Sequence, residues 1–257
     1  MMITESIRQN AQLHPEKSAI VFENRRLTWE QFHQRSNRVA NRLTKLRIDK
    51  GDRVAIVSPN CLEYPEITFG ALKAGSVMLP LATELAPEDV VTALLAADAK
   101  ALFAGHSVLP LVSGFRKLCT KIVVEGREDG WLTYEGFLKA GVDSEPAHIL
   151  SAPDPWVKEC THGERLAFAE YHCRELGINE GSISFIGTPL SAEGTQRLYL
   201  PTVLAGGTLV LTRSFDPVDF AELVRRERCT HAVLPPGSEA ANSANYTKNE
   251  ITFVEFV

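Results

Sequence analysis

No apolar run in this chain approaches membrane-spanning length, and the polar start from Thr4 to Pro15 has none of the features of a signal peptide. The cytoplasm is therefore the expected compartment, and no membrane partner is expected. Positive charge is in deficit: 27 Lys and Arg stand against 32 Asp and Glu, a formal net charge of -5. A general nucleic-acid or anionic-membrane binder would need a basic face, so neither is an expected partner. Cys-x-x-Cys pairs are absent as well. The five cysteines (Cys61, Cys119, Cys160, Cys173 and Cys229) are odd in number and scattered. That suits reduced thiols better than a disulfide framework. The chain also lacks a Gly-x-Ser-x-Gly elbow, a Gly-x-Gly-x-x-Gly fingerprint and a Walker loop. It has no internal repeat and no low-complexity tract.

The composition that remains, 44% hydrophobic and 23% charged over 257 residues, is that of one large globular domain or at most two small ones. Thr28 and Gln31 are spaced as a capping box, and Trp29, Phe32, Ser36, Val39, Ala40, Leu43 and Leu46 follow at helical spacing. Short apolar runs at 53–57, 77–81, 101–104 and 121–124 read as strands, separated by helical patterns at 62–74 and 88–97. The second half repeats the alternation. Helices are expected over 162–176 and 193–204, with a third capped by Asp216 and running to Glu227. The strands between them are expected at 183–186, 208–211 and 231–234. Strand and helix alternating in this way predict an α/β fold, a doubly wound and mostly parallel sheet flanked by helices.

Several segments then fall in a recognisable order. They begin with Leu27-Thr28-Trp29-Glu30-Gln31-Phe32, Gly51-Asp52-Arg53-Val54-Ala55-Ile56 with Pro59-Asn60, and Ala71–Leu81. Thr161-His162-Gly163, Pro189-Leu190, Leu204–Leu211, Phe215-Asp216-Pro217 and Thr230–Pro236 follow. Together they resemble the large N-terminal domain of the adenylate-forming superfamily, which includes acyl-CoA synthetases, peptide-synthetase adenylation domains and luciferases. The resemblance covers most of residues 2–237 and implies the first subdomain of an AMP-binding acyl-CoA synthetase. It leaves 238–257 as a divergent tail, a polar stretch at 238–249 followed by a terminal strand. The superfamily joins a carboxylate to the α-phosphate of ATP and passes the acyl group to a thiol. Where it carries a Gly/Ser/Thr-rich phosphate loop ending in Pro-Lys-Gly, this chain has only Trp156, Val157, Lys158, Glu159 and Cys160 between Pro155 and Thr161.

The resemblance therefore implies a degenerate AMP-dependent synthetase/ligase-like protein that does not adenylate alone. It would serve as an interaction or small-ligand binding protein for acyl- or CoA-type molecules, alone or beside a full-length relative. The alternative is a carboxylate-CoA ligase component active only with a partner chain. No catalytic residue, metal ligand or cofactor is expected under the first reading, and ATP/Mg and coenzyme A enter only under the second. Thr161 and His162 are the candidates for cofactor binding, with an N-cap and a first-turn residue as the competing reading. Gln196, Tyr199 and Leu200 are the candidates for lining an acyl cavity, against core packing. A zinc site from Cys160, His162, His172 and Cys173 can be drawn, as can a Cys160 nucleophile activated by His162. A homo-oligomer or a dedicated protein partner is expected to cover an apolar face, with the strand-forming tail able to cover it or to extend a partner's sheet.

Overall fold

The computed structural model describes residues 2–117, 119–238 and 251–256. Ile3, Ile7, Asn10 and Ala11 recur on one face of the opening segment, which forms helix α1 (Ile3–Leu13) with that face buried. Strands β1 (Ser18–Phe22) and β2 (Arg25–Thr28) follow as an antiparallel pair. Thr28 and Gln31 then close a reciprocal capping box that starts α2 (Trp29–Lys45).

From β3 (Arg53–Val57) the chain alternates through α3 (Glu63–Lys73), β4 (Val77–Leu81), α4 (Pro87–Ala96), β5 (Ala101–Gly105) and β6 (Thr120–Val124). The short β7 (Leu132–Thr133) and α5 (Tyr134–Lys139) end this half. Its strands form a parallel sheet in the order β4-β3-β5-β6-β7. A hairpin, β8 (Pro155–Val157) and β9 (Cys160–Thr161), leads into α6 (His162–Leu176). Strand β10 (Ile183–Ile186), α7 (Gln196–Ala205), β11 (Thr208–Leu211), α8 (Pro217–Glu227), β12 (His231–Val233) and β13 (Thr252–Val254) complete the order.

The α/β class holds, but the strands divide between two sheets. The second runs β13-β12-β10-β11-β1-β2, parallel except for the β1–β2 pair. The division arises because β1 pairs with β11, so the first strands of the chain join the later half. Between the sheets lies a helical layer. Ile20, Phe22, Leu209 and Leu211 face it from one side and Val54, Ile56 and Phe103 from the other. Alternate residues of the same strands point outward. Ala55 and Val57 pack with Val90 and Leu94 of α4, and Val21 and Val210 pack with Phe220 and Val224 of α8. Both faces of each sheet are thus covered, which explains why the strands read as unbroken apolar runs.

Helices α2 and α3 cross closely at Gly70, where a Cβ would stand 2.4 Å from the Cβ of Val39. Three elements carried weaker signals: α1 with its polar composition, and β1 and β2, which are separated by two residues. Strand β13 extends the chain's own sheet, in register with β12. Most of the polar 238–249 stretch lies outside the described residues.

Candidate functional site

Where the Pro155–Thr161 segment crosses from one half to the other, it closes over a cavity of about 430 Å³. One wall is β4 with α3 and α4, which contribute Met78, Leu79, Thr68 and Ala93. The opposite wall is the Leu190–Glu193 turn and the start of α7, and the roof is Trp156–Glu159 of the hairpin. The volume falls in the range of small-molecule pockets, and the lining is mostly apolar with a few polar groups.

The roof is fixed from beneath. Trp156 is buried, its ring edge-on to Phe69 at 5.8 Å and to His162 at 5.1 Å. The turn on the far wall is fixed by Asn60, whose Nδ2 donates to the carbonyls of Thr188 (2.9 Å) and Thr212 (3.1 Å). Its Oδ1 accepts from the Leu190 amide at 2.8 Å. Thr195 adds a bond from Oγ1 to the Pro189 carbonyl at 2.7 Å.

The residues singled out from sequence separate into three groups. Gln196 and Tyr199 both line the cavity. Gln196 already donates from Nε2 to the Leu190 carbonyl at 2.9 Å, which ties the turn to the helix. Tyr199 is fully buried against Phe69 with no partner for its hydroxyl, and burial pushes its phenol well above the ordinary range. Leu200, one position on, points into the central core and is not part of the lining. Thr161 and His162 lie beneath the roof and outside the cavity. Thr161 caps α6 in a box with Glu164, accepting from its amide at 3.2 Å. The buried His162 imidazole is lowered to about 4, chiefly by burial, and its Nδ1 is without a partner.

The drawn zinc site is not assembled. His172 Nδ1 lies 2.9 Å from the Phe168 carbonyl, its Nε2 accepts from Arg197 at 3.3 Å, and the neighbouring Cys173 sulfur turns to the Pro201 carbonyl. Among the described residues no group of three or more His, Cys, Asp or Glu side chains is placed to hold a metal ion. Burial raises the Cys160 thiol, the opposite of what a nucleophile requires.

Sequence reading missed the most strongly charged feature of the lining. Arg165, on the first turns of α6, grips Glu193 with two bonds, Nη1 to Oε1 at 2.5 Å and Nη2 to Oε2 at 2.8 Å. The two residues stand 28 positions apart and belong to no motif, so only the packing of α6 beside α7 brings them together. Tyr64 and Thr68 of α3 also line the cavity, and each has a hydroxyl without a partner.

Fold and cavity together define an α/β domain with a ligand-sized space between the edge strand β4 of one parallel sheet and the start of α7. The AMP-binding enzyme family profile matches residues 7–159, more than half of the sequence, and the chain belongs to that family. It is 36% identical to the long-chain-fatty-acid–CoA ligase FadD13 of Mycobacterium tuberculosis, over 89% of this chain and 49% of that protein. It is 26% identical to the fatty acid–[acyl-carrier-protein] ligase ScoC of Streptomyces coeruleorubidus, over 88% of this chain and 46% of that protein. The chain thus spans about half the length of these curated relatives. Among solved structures, the inhibitor-bound N-terminal domain of FACL13 from Mycobacterium tuberculosis superposes with a TM-score of 0.86 at 22% identity, covering 99% of this chain and 69% of that one. A benzoate CoA ligase from Burkholderia xenovorans LB400 gives a TM-score of 0.86 at 21% identity, covering 98% of this chain and 54% of the other. At such identities the likeness speaks for the fold.

Proposed function

We propose that this protein binds an acyl-type small molecule in the cavity and does not adenylate it unaided. The observation that carries the reading is the hairpin between Pro155 and Thr161. Adenylation needs a pliant loop whose backbone N–H groups and hydroxyls hold the departing phosphates. Here the corresponding segment is a tight two-stranded turn without glycine or serine, pinned by Trp156 and forming the wall of an apolar cavity. Lys158 is a cation in this segment, exposed and 3.8 Å from Glu159. One lysine beside an acid does not make a phosphate cradle.

Calorimetric titration with Mg-ATP, AMP, coenzyme A and octanoic acid tests the reading. Heat with the acid and none with either adenine nucleotide supports it. Micromolar binding of ATP would overturn it. The names of the relatives favour a second reading, an ATP-dependent carboxylate-CoA ligase component that acts with another chain and uses ATP/Mg and coenzyme A. Acyl-CoA formation on mixing with a full-length relative, above the relative's own rate, would select it. A second copy or a dedicated protein partner remains part of the first reading.

A further inference from the structure

We infer that Arg165 is the carboxylate-binding residue of this cavity, and that Glu193 occupies it when no ligand is bound. The inference rests on the binding reading above and names the head group that the site selects.

The pair is lopsided. The Arg165 side chain is 8% exposed and that of Glu193 is 70% exposed. A buried guanidinium is therefore neutralised by a carboxylate that reaches in from solvent. The guanidinium is fixed, with its charge 5.9 Å above the Phe168 ring. Glu193 sits on a single 3₁₀ turn, Glu193–Thr195, at the rim of the cavity, and can swing into water with its charge fully hydrated. A ligand carboxylate presents the same two oxygens to the same two N–H groups, in the planar fork that arginine recognises best. Arg165 Nε is buried without a partner and offers a further donor.

Exchange of one carboxylate for the other keeps the buried cation paired throughout, so the ligand is not charged with exposing an isolated charge in the interior. The other ionic groups of the lining do not compete for this role. Lys158 and Glu159 face each other at the surface, both 78% exposed, and Arg53 is exposed at the start of β4's neighbour β3. Beyond Arg165, Met78, Leu79, Ala93, Trp156 and Tyr199 provide an apolar bed for a hydrocarbon. The class of ligand is an apolar monocarboxylic acid. An alcohol of the same chain length fills the same bed but cannot replace Glu193.

The test compares octanoic acid with octan-1-ol by calorimetry at pH 8, on the full chain and on Glu193→Gln and Arg165→Gln. The expected result is a preference for the acid of about tenfold or more in the wild-type protein, the scale of a hydrogen bond to a charged group. Glu193→Gln removes the competing carboxylate, so the acid binds more tightly while the alcohol is unchanged. In that variant octanoate also raises the melting temperature by more than octanol does at equal concentration, a difference a purely structural ion pair would not produce. Arg165→Gln abolishes the preference but retains the alcohol. Should Arg165→Gln fail to fold, Glu193→Gln decides alone, because its side chain is largely exposed. Equal binding of acid and alcohol in the wild type and in Glu193→Gln overturns the Arg165 assignment and leaves the cavity as an apolar binding site. Binding of neither overturns the cavity reading itself, and the assignment with it.

Discussion

Two titratable groups, Glu66 and Lys73, are buried on the same helix, and burial shifts both. Glu66 is fully buried on α3, accepting from Arg35 Nε at 2.6 Å and from the Tyr134 hydroxyl at 2.6 Å. Burial raises its carboxyl to about 7 against the opposing pull of Arg35. Arg35→Met strands this acid, and the expected loss is about 3–5 kcal/mol in denaturant unfolding, the cost of breaking a buried pair. Lys73, at the end of the same helix, donates to Ser36 Oγ at 2.9 Å and Asn37 Oδ1 at 2.8 Å, and lies 3.2 Å from His33 Nδ1. Burial lowers its amine from 10.5 to about 7. Between these two values the unfolded chain holds a proton on Lys73 that the folded chain has released, so this group makes stability rise with pH across the window. Lys73→Met removes that contribution. Unfolding free energies of the two proteins, measured from pH 7 to pH 10, should therefore show a shallower upward slope in the variant.

At the scale of elements, the hairpin roof and the helix crossing carry the sharpest expectations. Trp156→Ala empties a buried site between Phe69 and His162, with an expected cost of about 3–5 kcal/mol and a collapsed cavity. Gly70→Ala forces a methyl against Val39 and the Ser36 carbonyl, and is expected to cost about 1–3 kcal/mol by overpacking. Chemical denaturation reads both. These elements also mark what was legible beforehand. Caps follow local chemistry, so the starts of α2, α6 and α8 at Thr28, Thr161 and Asp216 were readable from a few residues each. Strands β3, β4, β10 and β11 were readable because both their faces are buried. Helix α1 was harder, since buried Thr4, Ser6 and Asn10 dilute its apolar stripe. Within the site, Gln196 and Tyr199 were visible as helix-face residues. The Arg165–Glu193 grip was not, because no local rule joins residues on two separate elements.

At the scale of the whole molecule, the expectation of a partner or a second copy is checked by sedimentation over a range of concentrations, and a monomer throughout would remove it. Among the described residues, large apolar side chains that reach solvent, such as Leu13 of α1, Leu132 of β7, Ile149 of the loop before β8 and Val218 of α8, belong to different parts of the chain. The two sheets differ in origin. The first is drawn from one continuous stretch, Arg53 to Thr133, while the second joins β1 near the start to β11, with Ile20 opposite Leu209. That pairing fixes a timetable for synthesis. At roughly 5–20 residues per second on a ribosome, the first sheet has all its strands while β11, the parallel partner of β1, is still unmade. One edge of Ala19-Ile20-Val21-Phe22, whose other edge pairs with β2, must then wait for roughly 10–40 s at those rates. During that interval the nascent chain holds an apolar strand with one edge open, and its yield in a cell depends on what shields that edge until Leu209 emerges.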